Sequence, residues 1–355
     1  MIWLAWRQFR GSATMMAAVL VVVVAALALT GPNLAAGYAA GIADCTPDDT
    51  CLDFFDRFFG EYDILFLALT LVVLILPALV GLFWGAPLIA RELEAGTHLL
   101  VWNQSVTRGR WLAVKLGLTG LAAVAAAGVC GLAVTWWSAP LDKSAVPEMA
   151  QMAPVVFGAR GIAPMGYAVF AFVLGVTMGM LVRRTLPAMA LTLVLFAAVQ
   201  IAMPLLVRPH LMPPVAGTFE LGGENMDGLD APSGGSLQIF LRTSAVPGHA
   251  GAWVLSSKLV DPSGRTISSG DGSSGPSSTI VRAVPVSTTS GPCSPLGLPA
   301  GGCTAEINRL GYRQQATYQP LDRFWPFQWI ETGIYALLTL GLTWFSFWWI
   351  RKRLS

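Results

Sequence analysis

The chain has 355 residues, of which 54% are hydrophobic and only 12% charged, with a formal net charge of +2. Soluble domains carry about 25% charged residues, so this chain cannot coat a water-facing surface and the bilayer must be its main solvent. The net charge points to no acidic partner and nothing points to nucleic acid; where the Lys and Arg residues sit is more informative, because they set orientation in a membrane.

A spanning helix needs roughly 20 apolar residues. Six runs qualify: Ala13–Ala36, Ile64–Ala90, Leu112–Ser138, Pro164–Val182, Leu186–Val207 and Phe327–Ile350. Ahead of the first, Met1–Gly11 carries Trp3, Trp6 and Phe9, with Arg7 and Arg10 one helical turn apart. That pattern suits an interfacial amphipathic helix over residues 1–12, rings at headgroup depth and charges in water; a short tail with belt aromatics is the plainer reading. Gly11-Ser12 allows a bend into the first span. The first run is read as retained rather than as a cleaved signal.

Arg7 and Arg10 place the N-terminus inside, and the connections then alternate. Tyr38–Asp63 is outside and holds seven acids against Arg57 alone. Residues 91–111 are inside and carry Arg91, Arg108 and Arg110, with Lys115 just after. Ala139–Ala163 is outside. Arg183-Arg184 mark a tight inner turn, since a charge at a span centre costs about 2.5–3.5 kcal/mol on insertion scales. The segment 208–326 is outside, and Arg351-Lys352-Arg353 ends the sequence inside. Pro77 and Pro87 in the second run suggest a kinked helix, either a lever or static packing.

The segment from Arg208 to about Asp322 is rich in Gly, Ser, Pro and Thr, with strand-like runs at Ser236–Thr243, Ala252–Val260 and Thr279–Val286. It reads as a small, loop-rich β domain between the fifth and sixth spans, with a turn at Asp261-Pro262-Ser263-Gly264. Two local cysteine pairs, Cys45-Cys51 and Cys293-Cys303, fall in the two outer segments, and Cys130 lies alone in an apolar run. Two disulfides outside the cell are the expectation. Four free thiols are the alternative, and a metal site is disfavoured because no His accompanies either pair.

No phosphate-cradling Gly-x-x-x-x-Gly-Lys-Ser/Thr loop, Gly-x-Ser-x-Gly or His-Glu-x-x-His occurs, and His98, His210 and His249 are scattered. No catalytic residues and no metal ligands are expected. Charge inside the spans reads as nearly nil. Gln200 is the clearest midspan polar residue, and Glu331, near the outer start of the last span, is expected to snorkel outward rather than to meet substrate. Both are kept as possible polar residues of a translocation path. Ion-coupled carriers usually place ionisable groups in their spans, so the energy for any transport is expected from elsewhere.

Arg91-Glu92-Leu93-Glu94-Ala95-Gly96-Thr97, then Val106-Thr107-Arg108-Gly109-Arg110-Trp111 and Lys115-Leu116-Gly117, resembles the cytoplasmic region after the second helix of ABC-2 type ABC transporter permeases. Asp322-Arg-Phe-Trp-Pro-Phe-Gln-Trp-Ile-Glu331 is similar to permeases of this kind from actinobacteria. The long segment before the last span departs from the family pattern of short re-entrant pieces. The resemblance implies an all-α polytopic membrane protein, with six transmembrane helices as in ABC-2 (type V) exporters, here joined by a small β-rich extracellular domain. The parts are residues 1–12, 13–207 with a coupling segment 91–111, 208–326, and 327–355 with a basic cytoplasmic tail.

By the same resemblance the chain is the permease subunit of an ATP-driven transporter in a bacterial cell membrane, exporting an amphipathic drug, antibiotic, peptide or lipid. No cofactor is expected in this chain; ATP and Mg2+ would be bound by a separate cytoplasmic ABC ATPase subunit. A second permease copy and membrane lipids are the other partners. Arg91, Glu92, Glu94, Gly96, Thr97 and Arg108 are the expected coupling residues. Glu92 and Glu94 would accept charge-assisted hydrogen bonds from the ATPase, and Gly96-Thr97 would stop the helix. The competing function is a membrane-anchored sensor whose extracellular domain captures a ligand.

Overall fold

The computed structural model describes residues 2–44, 50–96, 107–144, 147–230, 237–267, 278–284, 286, 292–293 and 300–352. The chain divides into two compact units. The first comprises residues 1–144, 155–211 and 325–355, and the second residues 145–154 and 212–324.

The first unit is a helical bundle, because in hydrocarbon every backbone group must be satisfied within its own segment. Among the described residues, six of its helical stretches are long and apolar enough to cross a membrane. Span 1 is α1 (Ile2–Ala43). Span 2 is built of α2 (Thr50–Val80), a π-helical turn Gly81–Gly85 and α3 (Ala86–Glu94). Span 3 is α4 (Arg108–Ser144). After the short helix α5 (Pro154–Gly158) comes span 4, α6 (Ala163–Val182). Span 5 is α7 (Thr185–Ala202), continued by a π turn Met203–Val207 and a 3-10 turn Arg208–His210.

Gly11-Ser12, expected to allow a bend, does not interrupt the helix: α1 runs through both residues. Isolated Gly is tolerated in a helix at about 1 kcal/mol. The connection 139–163, expected as one loop, is also divided. Span 3 runs on to Ser144, and Ala159–Ile162 form a turn whose Arg160 is fully buried.

Span 4 is the centre of the bundle, with Phe172, Ala171 and Val176 enclosed, whereas span 1 leaves Val21, Val22 and Leu29 exposed. Spans 2 and 4 approach at backbone distance. A Cβ on Gly85 would collide with the Phe172 carbonyl oxygen, and one on Gly179 would sit 2.6 Å from the Ala86 carbonyl oxygen. Such small-residue crossings replace hydrophobic drive with close van der Waals contact in a membrane. The π turn lies in this contact, one helical turn beyond Pro77, whose missing N–H already interrupts the hydrogen-bond ladder.

The second unit contains β1 (Val215–Phe219), β2 (Met226–Asp230), β3 (Leu237–Arg242), β4 (Trp253–Val260), β5 (Ser278–Val284), α8 (Ala300–Arg309) and β6 (Arg313–Gln319). Two three-stranded sheets form, ordered β1-β6-β4 and β2-β3-β5, with antiparallel neighbours throughout. In β3, Leu237, Ile239 and Leu241 alternate inward and pack with Leu259, Ile307 and Tyr312. The expected Cys293–Cys303 disulfide is present and lies in this core. Of the other expected pair, Cys45 lies outside the described residues. The sixth span, α9 (Phe324–Lys352), then returns the chain to the first unit.

Candidate functional site

Two polar constructions stand out in the helical unit, one at each end. The first is the corner between spans 2 and 3. Here α3 stops because Gly96 takes the left-handed conformation (φ 67°), which suits a residue without a Cβ. The Ala95 and Gly96 N–H groups donate to the Arg91 and Leu93 carbonyls at 3.0 and 3.4 Å. Thr97 and the rest of the segment up to residue 106 lie outside the described residues. The chain resumes at Thr107, whose hydroxyl accepts the Arg110 N–H at 3.4 Å at the head of α4.

Both acids of the corner have partners inside the chain. Glu92 accepts the ammonium of Lys115, which sits 4.8 Å above the Trp111 ring and is 6% exposed. Glu94 accepts the Thr185 hydroxyl at 2.7 Å and the Thr185 N–H at 3.1 Å. It thereby supplies, from another helix, the N-terminal acceptor that α7 would otherwise lack, and a carboxylate is favoured there by the helix dipole. Span 2 is thus tied to spans 3 and 5 where their polar ends meet. Arg91 is exposed and Arg108 half-buried. Lys115 was visible in sequence as the Lys opening span 3; nothing local singled out Thr185. Next to it, spans 4 and 5 join through Arg183, which adopts φ 58°, and Arg184, both exposed.

The second construction overturns one sequence expectation: Glu331 does not snorkel. Glu331 is fully buried about two turns into α9. Its carboxylate accepts Nε and Nη2 of Arg208 at 2.9 and 3.0 Å and the Tyr167 hydroxyl at 2.5 Å. Arg208 is 2% exposed, its guanidinium 4.3 Å from the Phe157 ring. Bidentate pairing with an added hydroxyl donor is what a buried carboxylate needs to offset its desolvation.

The network extends along the last span. The Tyr335 hydroxyl donates to the Gln200 side-chain oxygen, and the Tyr335 ring stands edge-on to Tyr167, 4.7 Å between centroids. Gln328 accepts the N–H groups of Ile162 and Ala163 at 3.0 and 2.8 Å and donates to the Phe157 carbonyl at 3.1 Å. Further along, Ser346 meets Thr177 at 3.0 Å. Gln328, Glu331, Tyr335, Thr339 and Ser346 therefore form one buried polar stripe on α9, at the spacing of a single helix face. That spacing is the signal of the stripe in the sequence.

A second buried pair lies beside it. Arg160 approaches Asp142 at 3.6 Å, donates to Thr70 at 3.4 Å and lies 4.7 Å from the Phe66 ring. Burial pushes the Arg160 guanidinium below its ordinary value, and the neighbouring Asp142 opposes that shift. Ser138 donates to Asp142 at 3.0 Å.

Of the interfacial residues expected at the N-terminus, Arg10 is exposed. Trp3, Trp6 and Arg7 lie on α1, and their side chains fall outside the described residues.

No curated protein and no solved structure matches the chain. A family model does, described as ABC-2 membrane transporter related, over residues 17–208, which is more than half of the chain. The match takes in spans 1 to 5, the Glu92–Glu94 corner, Tyr167 and Arg208. With six helices among the described residues long and apolar enough to cross a membrane, the chain belongs to the ABC-2 membrane transporter related family and is a multi-pass permease component of an ABC transporter.

Proposed function

We propose that this permease exports an amphipathic compound with energy from a separate ATPase chain, which docks at the corner between spans 2 and 3. The observation that carries this reading is the double tie at that corner: Glu92 to Lys115 and Glu94 to Thr185. A partner that displaces α3 moves the ends of three spans together, which is what coupling requires. The absence of a phosphate-binding loop from the sequence supports the need for that partner, which binds ATP and Mg2+. The acids act within the permease as fasteners, so docking falls to the exposed Arg91 and to the segment that follows Gly96.

The corner faces the cytoplasm in this reading, as do both termini, and the second unit is extracellular. The basic residues Arg91, Arg110, Arg183 and Arg184 support that orientation. The Cys293–Cys303 disulfide supports an oxidising surrounding for the second unit. Two copies of the permease enclose the path, with lipid covering the exposed apolar faces, and the start of α1 reaches the headgroups in a bacterial cell membrane.

The test is co-purification of the full-length chain with its ATPase, comparing wild type with Arg91→Glu. Binding should fall about tenfold, as reversal of a rim charge does in like-charge contacts, with thermal stability unchanged. Wild-type binding and wild-type ATPase activity in that variant would place docking elsewhere.

A further inference from the structure

The connection between spans 3 and 4 is held from both sides by buried polar groups, and the sixth span supplies one side of that grip. Residues Phe157 to Ala163 receive Gln328 and Arg208 from spans 6 and 5. They receive Thr135, Asp142 and Thr70 from spans 3 and 2, with the Gly161 N–H donating to the Thr135 hydroxyl at 2.9 Å. Ala163, Tyr167 and Tyr335 share one buried cluster. Glu331 and Arg208 sit at its edge, 0% and 2% exposed, paired with each other.

A buried ion pair in a membrane bundle is a costly way to gain stability, since apolar residues of similar volume do as well. Its distinguishing property is that it is strongly bistable: closed, every partner is satisfied; open, both charges need water. Within the reading of this chain as an ATP-driven permease, we propose that Arg208, Glu331 and Tyr167 form a charge lock. It holds span 6 against spans 4 and 5 and closes the transport path at the end opposite the coupling corner, and the transport cycle must break it. Gln328 extends the lock to the connection between spans 3 and 4, so that its release frees both walls at once. A permanent substrate subsite is the weaker assignment, because the carboxylate and guanidinium are engaged with each other and shielded.

The experiment is thiol accessibility in the full-length protein reconstituted into liposomes. Ala163→Cys places a reporter behind the lock at a fully buried position. The natural Cys130 in span 3, 2% exposed, is the internal control. A water-soluble thiosulfonate is applied and modification is followed by mass spectrometry. With the lock intact, position 163 should react slowly; with Glu331→Gln it should react about tenfold faster or more, because a buried arginine loses its counter-charge. Cys130 should not change. Where Glu331→Gln is not recovered in folded form, Tyr167→Phe removes one donor and should give an increase of about threefold.

Equal rates at position 163 in wild type and variant would overturn the lock. So would an equal rise at position 163 and at Cys130, which would mean general loosening. The measurement needs neither ATP nor the ATPase, so its failure leaves docking at Arg91 untouched, and failure of docking leaves the lock standing.

Discussion

Glu92, at the end of span 2, and Lys115, about two turns into span 3, form an ion pair whose side chains are 18% and 7% exposed. The pair fastens the two spans on either side of the corner that joins them. Removing one member strands the other. Glu92→Ala should destabilise the protein by about 2–4 kcal/mol, somewhat below the 3–5 of a fully buried pair because the site is part-exposed. Glu92→Leu with Lys115→Met should recover most of that loss while leaving nucleotide-driven movement impaired. Thermal unfolding in detergent reads the first effect, and ATPase activity of the complex the second.

The bond from Thr185 to Glu94 bridges spans 5 and 2 at an exposed site. Thr185→Ala removes the hydroxyl donor but keeps the N–H. A small loss of stability is expected, since the bond is exposed to solvent, with faster amide exchange in the first turn of α7; Thr185→Ser should restore both. Unchanged exchange in Thr185→Ala would mean that Glu94 does not hold the start of this helix.

Span 2 meets span 4 through glycines, so volume there is not tolerated. Gly179→Val should cost about 1–3 kcal/mol as an overpacked contact, because its Cβ would already stand 2.6 Å from the Ala86 carbonyl oxygen. Gly117→Ala, where nothing lies within 4 Å of the added carbon, is the matched control and should be neutral or stabilising. Recovery of folded protein from membranes separates the two.

Asp261 organises the turn after β4. Its Oδ1 accepts the Ser263 hydroxyl at 2.6 Å and the Ser263 and Arg265 N–H groups at 2.9 and 2.8 Å. The Ser263 hydroxyl, first among these, holds the carboxyl below its ordinary value. A depressed carboxylate contributes stability that is present above its unfolded value and is lost as pH falls through its folded one. Acidification below the usual carboxylate range should therefore loosen this turn in wild type, seen as faster proteolytic cleavage near Gly264. Asp261→Asn should already be looser at neutral pH and should show a smaller change on acidification.

Much of the fold is legible in the sequence because the bilayer restricts the options. An apolar run of 20 or more residues has only a helix available to it, so six runs become six helices. The strand-like runs at β3, β4 and β5 carry their β-rich composition openly, whereas β1, β2, β6 and α8 carry no such local signal. Those elements are short or polar, with Gly217 and Gly228 inside β1 and β2, and acquire their structure from pairing and packing. The tight turn at Arg183-Arg184 and the stop at Gly96 were also within reach, since each follows from local backbone chemistry.

Composition and run length make this a membrane protein with a charged corner after its second span, and the motif at that corner carries the resemblance to permeases, because all three are local properties of the chain. What the charges do depends on contacts between distant parts of the chain. Glu331 meets Arg208 across 123 residues of chain, and Glu94 meets Thr185 across 91. A carboxylate in an apolar helix must either reach water or find a buried partner, and both solutions look alike in a single span. The choice depends on which face of α9 turns inward, and that is settled by packing against Tyr167 and Arg208.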